Sequence, residues 1–380
     1  MTIAPSGAAT EDVASFGTLR AYGVAEIRHD RACLDEPGVW AVVMTFEGHL
    51  TAARMTEVER GAESGFDTVS RFALDLLNQR QGELNQPGEV LNQRRREFGG
   101  PGGGRWRSSL GHTAYRDGVK RIRELIRRGE VYQVNLCRVL ERGIADDVDL
   151  DRLAEILAVH NPARYAARIR LASAGIDVVC ASPELYLARD GDRISSGPIK
   201  GTAPAGGQML PKDHTENVMI TDLVRNDLSP VSVPGTVAVE GLCVPEAYPG
   251  STHLVSTVAA TLREGVTWSQ ILDASYPPGS VSGAPKSTAL KAIQRLEPTS
   301  RGPYCGAIGY VDNETGRACL AVGIRTFWTE RHAAGRRVLR FGTGAGITWG
   351  SDPEGEWCET VLKARRLVAL AEEAICGEEK

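Results

Sequence analysis

The sequence predicts an α+β fold in which the strands pair antiparallel. Several strand-like apolar runs follow one another through short turns, such as the turn at 312–316, and this order favours antiparallel pairing over repeated βαβ units. Other stretches carry apolar residues at helical spacing, so helices contribute as well. The chain has 380 residues, 42% hydrophobic and 24% charged, which is enough to bury a substantial core.

Apolar periodicity places the individual elements. Tyr115, Val119 and Ile122 recur at helical spacing, and Gly129 is a plausible end for that helix. Residues 131–136 then alternate between an apolar and a polar face, as in a strand. Further strands are predicted at 39–46, 176–180, 185–188, 307–311, 319–327 and 338–341, and helices near 72–77 and at 213–228, 268–274, 285–296 and 353–373.

Composition divides the chain into four segments. Residues 1–17 are predicted to be a flexible tail, and residues 18–98 a variable N-terminal segment that contributes strands to the fold. The glycine-rich stretch 99–105 predicts a loop with little packing of its own. Residues 106–380 carry closely spaced apolar patterns typical of helices and strands, so we expect the functional core there.

Charge and cysteine usage exclude several classes of function. The 44 basic and 48 acidic residues give a net charge of −4, which argues against nucleic acid because that partner requires clustered positive charge. No apolar run approaches the roughly 18 residues of a membrane span, and no signal peptide is evident. The eight cysteines lack the close spacing of zinc sites. We expect a cytoplasmic protein with reduced thiols.

Two pairs of acidic residues, each pair three residues apart, lie near the start of predicted helices. They are Asp213 with Glu216 and Glu356 with Glu359. Residues at i and i+3 share a helical face, so each pair presents two carboxylates side by side. If both pairs faced one cavity, a hard divalent cation would be needed, and oxygen ligands alone suit Mg²⁺. The alternative is that these acids only favour the helix dipole and lie in solvent.

Three further side chains are candidates for chemistry. Lys200 lies in uncharged surroundings, where an amine loses its proton more easily and can act as a nucleophile; an exposed turn lysine is the alternative. Glu184 would serve as a general acid if burial raised its pKa. His253 fits either a site or the core.

The glycine-rich stretch 342–346 follows a predicted strand. Glycines allow backbone N–H groups to approach an anion closely, so a loop that holds a carboxylate or phosphate is one interpretation, and a tight turn is the other. The stretch lacks the lysine of a P-loop and the full dinucleotide fingerprint.

From about residue 106 to the C-terminus, the sequence resembles the chorismate-utilising enzymes. This family includes anthranilate synthase component I, aminodeoxychorismate synthase component I, and isochorismate and salicylate synthases. The matching blocks occur in the order of the family, which makes the resemblance far more specific than any single motif. They lie at 130–136, 182–184, 198–202, 216–228, 253–256, 278–286, 301–306, 324–326, 344–347 and 351–354.

The resemblance implies a site and a fold. Mg²⁺ would lie among the acidic pairs and hold the ring carboxylate of chorismate, with Glu216 and Glu359 nearest and Asp213 and Glu356 around it. The enolpyruvyl carboxylate would be held by a guanidinium, a phenol and backbone amides. The implied fold is a two-subdomain sandwich of large antiparallel sheets with helices outside. The implied substrate-binding residues are Gln133, Gly201, Thr202, Lys286, Tyr304, Arg325, Gly344, Ala345 and Gly346.

Two positions separate the members of the family. Isochorismate and salicylate synthases carry a water-activating lysine where this chain has Gln133, so an amine nucleophile fits better than water. Aminodeoxychorismate synthases carry a lysine at the position of Lys200, where anthranilate synthases usually have alanine. The resemblance therefore implies that Lys200 attacks C2 of chorismate, that Glu184 protonates the leaving C4 hydroxyl, and that His253 lies near C4.

The expected activity is that of aminodeoxychorismate synthase component I, the p-aminobenzoate branch. No cysteine lies in a glutaminase elbow motif, so ammonia is expected from a separate glutamine amidotransferase subunit. The alternatives are anthranilate synthase component I and a catalytically silent subunit that binds chorismate.

Overall fold

Antiparallel strands joined edge to edge form the frame of the protein. The computed structural model describes residues 12–61, 106–204, 207–248, 251–333 and 335–376. The N-terminal strands are β1 (Val13–Phe16), β2 (Leu19–Arg28), β3 (Val39–Met44) and β4 (Leu50–Arg60). All six residues of β3 are buried, because this strand is covered on both faces.

The remaining elements alternate between strands and helices. In chain order they are β5 (Arg107–Ser108), α1 (His112–Arg127), β6 (Gln133–Gly143), α2 (Asp151–His160), β7 (Tyr165–Leu171), β8 (Ile176–Ser182), β9 (Leu185–Asp190), β10 (Arg193–Gly197), β11 (Ile199–Pro204), α3 (Pro211–Leu228), β12 (Ala238–Tyr248), β13 (Ser251–Thr261), α4 (Trp268–Ser275), α5 (Gly279–Ser282), β14 (Gly283–Ala284), α6 (Lys286–Leu296), β15 (Ala307–Asp312), β16 (Arg317–Val322), β17 (Thr326–Arg331), β18 (Arg337–Ile347) and α7 (Pro353–Cys376).

One continuous ladder connects the described strands, and every neighbouring pair in it is antiparallel. Its order is β6–β18–β17–β8–β7–β1–β2–β4–β3–β15–β16–β9–β10–β13–β12, and β11 continues β10 along β13. The protein therefore has the predicted α+β fold with a large antiparallel sheet. Strands β6 and β18 lie at one end of the ladder, and β11 and β13 lie near the other.

Two buried apolar clusters hold the helices on this sheet. The larger cluster includes Trp40 and Tyr115 and runs through the N-terminal strands, α1 and α4. The smaller one packs Leu367 and Val368 of α7 against Phe327 and Phe341 of β17 and β18. These contacts fix the orientation of α7, which carries one of the two acidic pairs. Within the described ranges, no helix has the length and apolarity that crossing a membrane requires.

The predicted helices of the core are confirmed, with boundaries that differ by one to three residues. Helix α1 ends as expected, because Gly129 has a positive φ of 75° and the next N–H, that of Glu130, donates to Leu125 O. The predicted helix near 72–77 and the loop at 99–105 lie outside the described residues. The seven cysteines whose side chains are described are free thiols.

Three predictions about the strands were wrong. Residues 13–16 of the expected tail form β1, because they pair with both β2 and β7. The run 319–327 is two strands rather than one, since the chain turns at Arg325, whose φ is 52°. The glycine-rich stretch 342–346 is not a loop but the second half of β18, paired with β6 along its whole length.

Candidate active site

The two ends of the ladder meet at a single backbone carbonyl. Ser280 O, on the short helix α5, accepts a hydrogen bond from Lys200 Nζ of β11 at 2.9 Å. The same oxygen accepts from Asn135 Nδ2 of β6, also at 2.9 Å. Residues that lie far apart in the sequence are thereby brought together, and Lys200 is directed into the protein rather than into solvent.

The surroundings of Lys200 favour its neutral form. Burial lowers the pKa of this amine, and the carboxylates of Glu184 and Glu216 offset only part of the effect. The neighbouring Gly201 has a φ of +89°, and a Cβ there would lie 2.7 Å from the Cβ of Asp213. The glycine therefore allows β11 to approach α3 closely, and Asn217 of α3 donates to Lys200 O at 3.3 Å.

Glu184 has the environment of a general acid. Its side chain is 4% exposed, and one carboxyl oxygen, Oε1, is buried without a hydrogen-bond partner. Burial raises the pKa of this carboxyl, and a hydrogen bond with the Ser280 side chain and the nearby Lys200 offset only part of the shift. The chain holds the residue firmly, because Val322 N donates to Glu184 O and Glu184 N donates to Ser182 Oγ. A protonated Glu184 would have a proton available for a leaving group.

His253 is a buried neutral imidazole. Burial and the positive charge of Arg325 lower its pKa to about 4. Its Nδ1 lies 3.0 Å from Thr202 Oγ1 and its Nε2 lies 3.2 Å from Ser251 Oγ. The ring of Tyr248 packs edge-on against it, with centroids 4.8 Å apart. Both ring nitrogens are therefore engaged by hydroxyl groups within β11 and β13.

Gln133 is completely buried at the start of β6. Its Nε2 donates to Asn135 Oδ1 at 3.3 Å, whereas its Oε1 has no hydrogen-bond partner. Gly346 of β18 makes room for this pair, because a Cβ there would lie 2.6 Å from Gln133 Nε2. Unpartnered buried acceptors such as Gln133 Oε1 and Glu184 Oε1 are costly, and a bound ligand that donates hydrogen bonds would satisfy them.

The second half of β18 exposes backbone donors on its free edge. Strand β17 pairs with β18 only as far as Phe341, so beyond that point no strand of the described residues pairs with the outer edge. On the inner side, Cys137 N donates to Glu297 rather than to Gly344, and Asn135 O accepts from Arg301 rather than from Gly346. The N–H groups of alternate residues Gly344 and Gly346 therefore point to the free edge, where they can bind an anion.

Tyr304 packs against β18, and Arg325 lies close to His253 and Tyr248. The ring of Tyr304 lies directly on Gly342, where any Cβ would overlap it, and its hydroxyl is 3.9 Å from Cys137 Sγ. Arg325 lies in the turn before β17, and burial lowers the pKa of its guanidinium. A phenol, a guanidinium and free amides are a suitable set of donors for a carboxylate.

The two acidic pairs, on α3 and α7, are close enough for Glu216 and Glu359 to influence each other electrostatically. Burial raises the pKa of Glu216, and the negative charges of Asp213 and Glu359 raise it further. Burial likewise raises the pKa of Glu356, again with a contribution from Glu359. Carboxylates on separate helices thus influence each other electrostatically. Asp213 also caps α3, since its Oδ2 accepts from Leu210 N at 2.9 Å.

Lysine side chains compensate part of this negative charge. Lys363 Nζ lies 2.6 Å from Glu359 Oε1 and donates to Gly344 O at 3.2 Å. Burial raises the pKa of Glu359, but the charges of Lys363, Lys212 and Lys200 outweigh it, so the pKa is lowered overall. In the described part of the chain, no three His, Cys, Asp or Glu side chains lie close enough to hold a metal ion. The four carboxylates nevertheless have the chemistry of a hard-cation site.

Lys286 is engaged away from the Ser280 carbonyl. Its Nζ lies 2.7 Å from Asp227 Oδ2 and donates to Ser275 O at 2.8 Å. Burial lowers the pKa of Lys286 and raises that of Asp227 to about 6. Through these two contacts Lys286, at the start of α6, is connected to α3 and to the end of α4. Lys286 therefore helps to hold in place the segment between α4 and α6, which contains α5.

Comparison with known proteins identifies the family. A profile of the chorismate binding enzymes matches residues 70–369. The chain is 37% identical over 280 residues to anthranilate synthase component 1 1 of Haloarcula marismortui, covering 70% of this chain and 55% of the relative. It is 34% identical over 283 residues to aminodeoxychorismate synthase component 1 of Escherichia coli, covering 70% and 59%. The chain belongs to the chorismate binding enzymes.

The fold of a solved relative agrees with this assignment. Anthranilate synthase component I from Streptococcus pneumoniae superimposes with a TM-score of 0.69 at 22% identity, covering 96% of this chain and 94% of that one. The chain spans little more than half the length of the two curated relatives described above. Those relatives divide between two activities, so identity alone defines the family rather than the reaction.

Three residues of the site were missed by the sequence interpretation. Asn135 and Ser280 lie inside the matching blocks, but nothing in their spacing indicates that Asn135 donates to the same Ser280 carbonyl that holds Lys200. Lys363 follows Glu359 by four residues, the helical spacing of an ion pair, and that pattern would have identified it.

Proposed function

We propose that this protein aminates chorismate at C4 to give 4-amino-4-deoxychorismate, in the p-aminobenzoate branch. The observation that carries the proposal is the placement of Lys200. Its amine is held at 2.9 Å by Ser280 O in surroundings that lower its pKa, within electrostatic range of the buried acid Glu184. An amine with this environment is a nucleophile, whereas an alanine at the same position would offer no group for covalent chemistry.

The reaction follows from these two groups. The neutral Lys200 amine forms a bond to C2 of the ring, both ring double bonds shift toward C4, and the C4–O bond breaks as Glu184 donates its proton, which releases water. Ammonia then forms a bond to C4, both double bonds return to their original positions, and the bond between C2 and Lys200 breaks. The proton lost by the added ammonia restores Glu184. Atoms and charges balance as chorismate plus ammonia giving aminodeoxychorismate plus water.

The remaining site residues would bind and orient the substrate. Tyr304, Arg325 and the free amides of Gly344 and Gly346 would hold the enolpyruvyl carboxylate. Mg²⁺, held by Glu216 and Glu359 with Asp213 and Glu356 around it, would supply positive charge for the ring carboxylate. Thr202 and His253 would face C4 as a neutral hydrogen-bonding pair, and the oxygen of Gln133 would accept a hydrogen bond without acting as a base.

A separate glutamine amidotransferase would supply the ammonia. The curated relatives carry the designation component 1, which is the basis for expecting a second component. Free ammonium should replace that subunit at high concentration, because the chemistry requires only ammonia.

Anthranilate synthase is the second candidate, favoured by the 37% identity to the Haloarcula protein. In that reaction ammonia adds at C2 and pyruvate is eliminated, so no lysine nucleophile is needed. The two proposals therefore predict different products and a different dependence on Lys200.

One assay separates them. The protein is incubated with chorismate, Mg²⁺ and ammonium without any lyase, and the products are separated by chromatography. We expect aminodeoxychorismate, which becomes p-aminobenzoate only after a lyase is added. A fluorescent anthranilate product would refute the proposal. Lys200→Ala should abolish product, whereas Lys291→Ala, which removes an exposed lysine of α6, should leave the rate unchanged.

A further inference from the structure

Three hydrogen bonds connect Lys200 to Gln133 through the backbone oxygen of Ser280 and the side chain of Asn135. Ser280 O can only accept hydrogen bonds, so the atom of Asn135 that contacts it at 2.9 Å must be the amide nitrogen. The other terminal atom of Asn135 is therefore the oxygen, and it accepts from Gln133 Nε2 at 3.3 Å. This leaves Gln133 Oε1 as the free end of the chain, buried and without a partner.

Arg301 fixes the backbone on both sides of this chain. Its guanidinium donates to Asn135 O at 3.0 Å and to Val281 O, next to Ser280, at 2.8 Å. It is itself held by the carboxylate of Glu297 at 2.6 Å and is 1% exposed. The distance between β6 and α5 is thus set by a buried cation, and the side chain of Asn135 spans a gap of fixed width.

We propose that Asn135 is a positioning residue for the amination reaction. By donating to Ser280 O it fixes the carbonyl that holds the Lys200 amine, and by accepting from Gln133 Nε2 it leaves the oxygen of Gln133 as the free acceptor. The inference rests on the proposed function, in which Lys200 is the nucleophile. It adds that the direction of attack by Lys200 and the orientation of Gln133 are set by one side chain.

The geometry explains why the direction of the amine matters. A carbonyl oxygen has two lone pairs, and Asn135 occupies one of them, so Lys200 has a single remaining acceptor position on Ser280. A neutral amine that donates one N–H in a fixed direction has its lone pair directed away from that acceptor. Without Asn135, the carbonyl would offer two positions, and the amine would no longer be held in one orientation.

Two replacements of similar size test the proposal. Asn135→Asp keeps the shape but removes the donor to Ser280 O, and Asn135→Leu removes both hydrogen bonds. We expect kcat for ammonium-dependent turnover to fall by about tenfold to a hundredfold in both, because reacting groups are misplaced rather than lost. The KM for chorismate should change by less than about threefold, since the carboxylate-binding groups are untouched. Asn313→Asp is the matched control, because Asn313 also donates to backbone carbonyls, Leu34 O and Glu36 O, but lies at the β15–β16 turn.

The outcomes are distinct. A selective loss of kcat in both Asn135 variants, with folded protein by circular dichroism and an unaffected Asn313→Asp control, would support the positioning role. Wild-type kcat in both variants, with Lys200→Ala inactive, would overturn it and leave the proposed function intact. Loss of folding in both variants would identify Asn135 as a structural residue and would also overturn it. Full activity of Lys200→Ala would instead refute the proposed function.

Discussion

Lowering the pH is expected to destabilise this protein through His253, because the folded state keeps that imidazole neutral. The pKa of His253 is lowered from 6.5 to about 4 by burial and by Arg325, and the side chain is 2% exposed. In the unfolded chain the imidazole regains its ordinary pKa. Between these two values, the unfolded state binds a proton that the folded state does not.

The sign and size of the effect follow from this difference. Since the unfolded state binds more protons, the free energy of unfolding decreases as the pH falls from about 6.5 to about 4. Each pKa unit corresponds to about 1.4 kcal/mol, so the full effect is about 3 kcal/mol. That is a large part of the 5 to 15 kcal/mol typical of folded proteins.

The assay compares wild type with His253→Gln, which is neutral at every pH. Urea unfolding is measured at several pH values between about 7 and about 4, a range that spans both pKa values. The difference in free energy between the two proteins should change by about 3 kcal/mol across this range, to the disadvantage of the wild type in acid. The other six histidines are present in both proteins and cancel in the difference.

The matched control is His49→Gln, which removes an exposed histidine in the turn between β3 and β4. It should follow the wild type at every pH. If wild type and His253→Gln lost stability in parallel, His253 would not be held neutral and the reasoning would be wrong.

Three further predictions concern the site. Lys200→Ala should abolish aminodeoxychorismate formation while leaving Mg²⁺-dependent chorismate binding measurable by calorimetry; a rate equal to wild type would remove the lysine from the mechanism. Glu359→Gln should raise the Mg²⁺ concentration for half-maximal rate by at least about tenfold, since a charged oxygen ligand is lost; an unchanged titration would exclude it as a ligand. Gly346→Ala places a Cβ 2.6 Å from a buried amide nitrogen of β6, whereas Gly143→Ala meets nothing within 4 Å. Thermal melts should show a lowered Tm in the first and little change in the second, and equal melts would contradict the close packing of β6 on β18.

Local patterns were sufficient to predict the helices α1, α3, α4, α6 and α7, but helix α2, strands β7 and β10 to β13, and the breaks between strands were not predicted. The first-named helices were predictable because their apolar spacing and end signals lie within a few residues of each other. The division of 319–327 into two strands was not, because it depends on Arg325 adopting a positive φ that no neighbouring residue indicates. The length of β18 was hidden for a related reason. Its glycines suggest a turn. In the structure they leave room for Tyr304 and Gln133, which pack directly against the strand. These are tertiary contacts, so the local sequence does not indicate them.

In the candidate site, too, residue types could be predicted from the sequence but tertiary contacts could not. Family motifs predict Lys200, Glu184 and the acidic pairs as site residues from residue type and order, but they carry no information on hydrogen-bond partners. That Lys200 and Asn135 share one carbonyl depends on how the two ends of the sheet come together. Lys286 is a similar case: its motif predicts substrate binding, which stays a prediction, but does not indicate that its amine contacts Asp227 and Ser275.

The N-terminal strands have a consequence for any attempt to work with a shorter protein. The family match begins at residue 70, yet β1 to β4 lie in the middle of the ladder, between β7 and β15. A chain starting at residue 70 would leave both of those strands with bare edges, and exposed edges recruit other molecules. Such a fragment should aggregate, even though it would contain every group assigned to the chemistry.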